Sequence, residues 1–195
     1  MGSYSLAAKL CELTPFQPED TQRVFDYCQD SDIQRWTAVP VPYGPKDATS
    51  FVEGASQNGW DWETGGSDER VWAIRVRADG ASILAGSVGL RPDPPGQSLE
   101  IGYLLAPDCR GRGLASDAVL TVTAHALRDL GMRRVLWRAA VGNWGSRRVA
   151  ERCGFRVEGA VRSQVVIRGD VLDGWIGTAL AEDLPANHGR ANSAD

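Results

Sequence analysis

CRGRGLASDAVL, Cys109 to Leu120, interleaves two glycines with two arginines and then runs directly into good helix formers. The segment before it, SLEIGYLLAP (98–107), reads as a strand stopped by Pro107. Ala115, Ala118, Val119, Val122, Ala126 and Leu130 then fall at helical spacing, and Gly131 is placed to cap the helix. A strand, a glycine loop and a helix therefore follow one another. The first N–H groups of such a helix have no partner within it and carry the positive end of its dipole. Gly111 and Gly113 let a ligand approach the backbone, and Arg110 and Arg112 add donors. This combination predicts a phosphate site.

The two commonest phosphate loops do not fit. A P-loop needs a lysine after its last glycine, and none follows Gly111 or Gly113. A dinucleotide fingerprint needs a third glycine where Ser116 stands, and an acidic residue ending the next strand, which RRVLWRAAVGN lacks.

The rest of the chain supplies the frame. PFQPEDTQRVFDYCQD reads as a helix opened by Pro18, with Val24, Phe25 and Cys28 as its apolar side. A Pro-rich loop leads to a short helix from about Lys46. RVWAIRVRADGASILAGSVGLRP reads as a hairpin turned at Asp79-Gly80, and DPPGQ (93–97) as a further turn. RRVLWRAAV is a strand and WGSRRVAERCG a helix. FRVEGAVRSQVVIRGDVLDGWIGTAL forms two strands turned at Arg168-Gly169-Asp170. That order predicts an α+β layered fold: a mixed, mostly antiparallel central sheet with helices on both faces. Residues 1–184 are expected to form one domain and 185–195 a disordered tail.

At 195 residues, 43% apolar and 24% charged, the composition is that of an ordinary globular protein. No apolar run approaches the length of a membrane span, and MGSYSLAAKLCEL does not read as a secretory signal. The four cysteines have no C-x-x-C spacing, so neither zinc nor a redox motif is expected, and a cytoplasmic location is. The net charge of −4 is uneven: −6 over residues 1–90, +6 over 91–168 and −4 over 169–195. A basic block inside an acidic chain suits a bound anion better than a long nucleic acid.

Arg110-Gly111-Arg112-Gly113-Leu114-Ala115 is R-x-x-G-x-A, and about 30 residues later comes AAVGNWGSRRVAERCGF. These resemble the acetyl-CoA pyrophosphate loop and the N-x-x-S-x-x-x-x-x-x-x-G-F block of the GCN5-related N-acetyltransferase (GNAT) superfamily. IQRWTAVPVPY resembles the substrate-side segment of its RimJ/RimL branch. The resemblance covers roughly residues 10–180 and implies the GNAT fold, acetyl-CoA as co-substrate and no metal. It implies that the backbone of Arg110, Gly111, Arg112, Gly113, Leu114 and Ala115 holds the pyrophosphate. Leu104, Leu105 and Ala106 would pair with the pantetheine arm, the Leu105 N–H meeting the thioester oxygen. Asn143 would contact pantetheine. Ser146 would lie near the sulfur and protonate the leaving thiolate, its alternative being to cap the helix. Arg147 or Arg148 would reach a phosphate of the cofactor.

Glu100 is the candidate base for the amine, its alternative being an ion pair with an arginine such as Arg138. Trp36, beside the Pro-rich loop, is a candidate substrate contact together with Glu100. The acidic, Trp-bearing stretch DWETGGSDE is either a solvated loop or an attractor of cationic acceptors, and Trp72 reads as core. The implied reaction is direct acetyl transfer in a ternary complex to a peptide or protein N-terminal amine, by an enzyme that is a possible homodimer and binds neither nucleic acid nor membrane. The alternatives are a small-amine acetyltransferase (aminoglycoside, polyamine or amino acid) and a non-catalytic CoA-binding protein.

Overall fold

A computed structural model describes residues 5–57, 69–78, 80–93 and 97–185. Asp79, most of the 93–97 turn, most of the acidic Trp-bearing stretch and the tail from 186 lie outside the described residues. The elements are β1 (Leu6–Ala7), β2 (Glu12–Thr14), α1 (Thr21–Tyr27), α2 (Ser31–Trp36), α3 (Pro45–Gln57), β3 (Arg70–Ala78), β4 (Ala81–Pro92), β5 (Ser98–Leu105), α4 (Leu114–Ala124), β6 (Arg134–Ala140), α5 (Trp144–Arg152), β7 (Arg156–Ile167) and β8 (Asp170–Ala179).

All eight strands join one sheet in the order β1-β2-β3-β4-β5-β6-β8-β7. Among the described residues only β5 and β6 run parallel, because α4 carries the chain back to the same end of the sheet. The other neighbours are antiparallel. The α+β expectation holds. Three short elements have no counterpart in the sequence reading: β1, β2 and α2, of 2, 3 and 6 residues.

Helices cover both faces. On β3, Trp72 meets His125, just beyond α4, with ring centroids 6.2 Å apart. Arg75, three residues on and so facing the other way, pairs with Asp20 in the 3₁₀ turn before α1. On that second face α3 docks through an edge-to-face contact of Phe51 with Phe16. α5 lies beside α4, where the Cys153 thiol donates to the Ser116 carbonyl. Trp72, Ile74, Val88, Leu90, Val119, Val122 and Val135 are among the residues buried between the layers.

The expected helix stripe holds through Val122 and Ala126 but not to its end. Five residues after Ala124, His125–Asp129, widen into a π turn. Within it Leu127 is buried, while Leu130, the expected end of the stripe, is half-buried.

Candidate active site

β5 and β6 are hydrogen-bonded only from Ser98↔Arg134 to Ile101↔Trp137. Beyond that row β5 follows β4 as far as Gly86↔Leu105, while β6 follows β8 as far as Ala140↔Gly174. The parallel pair therefore opens into a fork, and the inner edge of β5 from Gly102 to Leu105 has no strand beside it. The Ala106 N–H is bonded to the Ala85 carbonyl. Strand alternation then turns the Leu105 N–H into the fork. Of Leu104, Leu105 and Ala106, it is Leu105 that offers a donor there, as an extended ligand arm or a developing oxyanion needs.

A bulge in β4 fixes this edge. Gly86 has φ +156°, and a Cβ on it would lie 2.2 Å from the Leu104 carbonyl oxygen.

The glycine-arginine loop sits at the mouth of the fork. Gly113 is the N-cap of α4 in left-handed conformation, φ +81°. The first helical bond runs from the Asp117 N–H to the Gly113 carbonyl. The N–H groups of Leu114, Ala115 and Ser116 therefore lie at the helix mouth, as an anion requires. Arg110 departs from expectation. Its guanidinium folds back onto Asp30 (2.6 Å) and the Leu105 carbonyl, and its N–H is bonded within the preceding 3₁₀ turn. It braces the loop against the start of α2, and Arg112 is the arginine exposed at the crest. The Asp30 carboxyl is held below its usual range: desolvation is the largest single influence and raises it, but the Arg110 hydrogen bond, the Ile33 and Asp32 N–H groups and the Arg110 charge together outweigh it.

The second block opens α5 on the other prong. Asn143 is the N-cap, its Oδ1 accepting from the Ser146 N–H at 3.1 Å, so the capping role weighed for Ser146 belongs to Asn143. Ser146 instead bridges the fork at its vertex. Its Oγ accepts from the Trp137 indole N–H at 2.9 Å and lies 2.9 Å from the Tyr103 hydroxyl. Arg147 stacks on Trp144 and Trp175 and pairs with Glu151, so its charge is engaged locally. Trp36 packs against the loop after β6, its ring 3.5 Å from where a Cβ on Gly142 would be. That places it beside Asn143 at the mouth of the fork. Trp72 is core, with no exposed surface.

Glu100 is the main departure. It is 9% exposed, and both its oxygens are taken: Oε1 by Arg91 at 2.7 Å and Oε2 by Arg138. Arg138 also pairs with Asp93 at 2.8 Å. This is the ion-pair arrangement set against the base role, since each carboxylate oxygen already accepts from a guanidinium N–H. The network borders a hollow of about 570 Å³ lined by Asp93, Arg134, Leu136, Arg138, Glu158 and Thr178. Sequence reasoning gave no role to Tyr103 or Trp137. Alternation along β5 places Tyr103 on the face away from Glu100, but nothing local shows that it meets a residue 43 positions later.

Comparison with known proteins agrees with this geometry. The Acetyltransferase (GNAT) domain family matches residues 11–156. A Bacillus subtilis (strain 168) protein, "Putative ribosomal N-acetyltransferase YdaF", is 34% identical over 154 residues, covering 78% of this chain and 81% of that one. Two solved structures share the fold with TM-scores of 0.74. One is RimL, the ribosomal L7/L12 alpha-N-protein acetyltransferase, in complex with coenzyme A, at 18% identity over 92% of this chain and 99% of that one. The other is the microcin C7 self immunity acetyltransferase MccE with acetyl-CoA and AMP, at 20% identity over 88% and 93%. A forked parallel pair, a helix N-terminus at its mouth and a family match across both place the chain in the GNAT acetyltransferase family, as an acetyl-CoA-dependent N-acetyltransferase.

Proposed function

We propose that this enzyme moves the acetyl group of acetyl-CoA to the α-amine of a peptide or protein N-terminus, by direct attack in a ternary complex. The fork between β5 and β6 carries the proposal, because it supplies an unpaired strand edge for the pantetheine arm and a helix N-terminus for the pyrophosphate. Leu104 and Leu105 belong to that edge, with Ala106 tied to β4 just beyond it; Gly111 to Ala115 form the pyrophosphate loop; Asn143 and Ser146 face them from the other prong. The peptide acceptor rests on the likeness to the YdaF protein and on Trp36 at the mouth. Holding amine and thioester together supplies much of the acceleration. The amine's proton leaves through water, and Glu100 acts as the anchor of the arginines beside it.

The decisive experiment has two arms. Thermal unfolding with acetyl-CoA should raise the midpoint of the wild type and not that of Gly113→Asp, which sets a carboxylate at the helix mouth. Release of free thiol should then be followed with a panel of N-terminal peptides and small amines. Turnover on peptides supports the proposal; turnover confined to polyamines, aminoglycosides or amino acids replaces its acceptor; a midpoint rise without turnover points to the CoA-binding alternative.

A further inference from the structure

We propose that Tyr103 is a positioning residue that directs the Ser146 hydroxyl proton into the fork, toward the sulfur of the departing coenzyme A. The inference rests on the acetyl-CoA reading of the fork and adds the group that controls Ser146. Three distances carry it. The Trp137 indole N–H, a donor only, lies 2.9 Å from Ser146 Oγ. The Tyr103 hydroxyl lies 2.9 Å from Ser146 Oγ and 2.9 Å from the Ser146 carbonyl oxygen, an acceptor only. One tyrosine proton thus has two places to go.

Each choice fixes the serine. When Tyr103 donates to the carbonyl, Ser146 can donate to Tyr103, and every partner is internal. When Tyr103 donates to Oγ, both acceptor positions of Oγ are filled, one by Trp137 and one by Tyr103. The serine proton then has no internal acceptor and points into the fork. Two donors on one oxygen also polarise its O–H bond. During transfer a C–N bond forms, the C–S bond breaks and its electron pair stays on sulfur. Charge growing on that sulfur favours the second arrangement, so the tyrosine hydrogen bond swings from the carbonyl to Oγ and the serine hydroxyl, keeping its proton, donates a hydrogen bond to the thiolate, while the amine's proton leaves through water. The position suits this task. Trp137 is in the last paired row of the fork, Tyr103 is just beyond it on the other prong, and Ser146 spans the two.

Neighbouring groups keep the arrangement constant near neutral pH. Burial raises the Tyr103 phenol well above its usual value, so it remains a donor. The Cys153 thiol beside it is pushed by burial up to about 12 and stays neutral. Arg147 and Glu151 on α5 are paired with each other at 2.8 Å.

The test needs no acceptor. Affinities of coenzyme A and of its desulfo analogue are measured by calorimetry at about pH 7 and about pH 9, the thiolate form of coenzyme A being the more populated at the higher value. The proteins are wild type, Ser146→Ala and Tyr103→Phe, each checked for an unchanged thermal midpoint. In wild type, coenzyme A should gain on the desulfo analogue by more than about twofold between the two pH values, as follows if its bound thiol titrates one unit lower than free. Both variants should show less than twofold. A wild type binding both ligands with no such gain overturns the proposal. So does a Tyr103→Phe that keeps the gain while Ser146→Ala loses it. A wild type that binds neither ligand overturns the acetyl-CoA reading itself.

Discussion

Gly86 and Glu100 show how single residues shape the site without touching a ligand. At Gly86 a methyl group would meet the Leu104 carbonyl at 2.2 Å, backbone against backbone, with φ already at +156°. Gly86→Ala must push β5 away from β4 and so move the edge meant for pantetheine. The expected result is a loss of about 1–3 kcal/mol, read by denaturant unfolding, with a weakened acetyl-CoA-induced rise in melting midpoint. Glu100 holds two arginines, one of them, Arg138, with a buried Nε that has no hydrogen-bond partner. Glu100→Gln removes the charge and keeps the shape. It should lower stability by about 2 kcal/mol, a midpoint drop of roughly 4–8 °C, because Arg138 keeps Asp93 as its second partner. Should kcat at saturating acetyl-CoA instead collapse with the midpoint unmoved, the base role returns to Glu100.

At the scale of elements, what could be read from sequence divides along a physical line. β5, the loop and α4 were legible because strand alternation, a proline stop, glycines and a helical stripe are all local signals. The hairpin at Arg168-Gly169 was legible for the same reason, and both residues have positive φ there. The strands β1 and β2 are too short to show a period, and α2 ends after 6 residues, so tertiary contacts define them. The π turn was illegible because its hydrogen-bond step changes without any change in composition. Ser146 and Asn143 both stand where a cap might be assigned, and only the structure distinguishes them. Asn143→Ala should cost about 1 kcal/mol, a fall of roughly 2–4 °C in melting midpoint. It should also reduce the acetyl-CoA-induced rise, since the cap fixes the backbone that presents Ser146 to Trp137. An unchanged midpoint with an unchanged ligand response would show that the cap positions nothing.

Across the whole molecule, the N-terminal layer is tied to the fork by contacts no local pattern can announce. Arg23 of α1 reaches Asp108 at 2.7 Å, ahead of the loop. Arg110 reaches Asp30, which caps α2. Asp117 of α4 accepts from the Leu10 N–H, and Arg168 at the β7–β8 turn donates to the carbonyls of Thr37 and Val39. The Arg168–Thr37 bond spans 131 residues. This is why the anion loop was readable and its bracing was not: the loop is a local motif, whereas the bracing depends on which segments the sheet order brings together. The bracing carries a pH signature. The Arg23 hydrogen bond pulls the Asp108 carboxyl below its usual range, and Arg110 together with the Ile33 and Asp32 N–H groups does the same to Asp30 against desolvation. A carboxylate depressed in the folded state adds stability that is complete above its unfolded value of about 3.9 and fades as pH falls through that value toward the folded one. Asp30→Asn keeps the cap and removes the charge. The wild type should therefore lose stability steeply below about pH 4, and Asp30→Asn with Asp108→Asn should flatten that limb while lowering stability at neutral pH. Melting midpoints measured across the acid range decide it, since parallel limbs in the two proteins would mean that these carboxylates titrate alike folded and unfolded, and that the bracing works through shape alone.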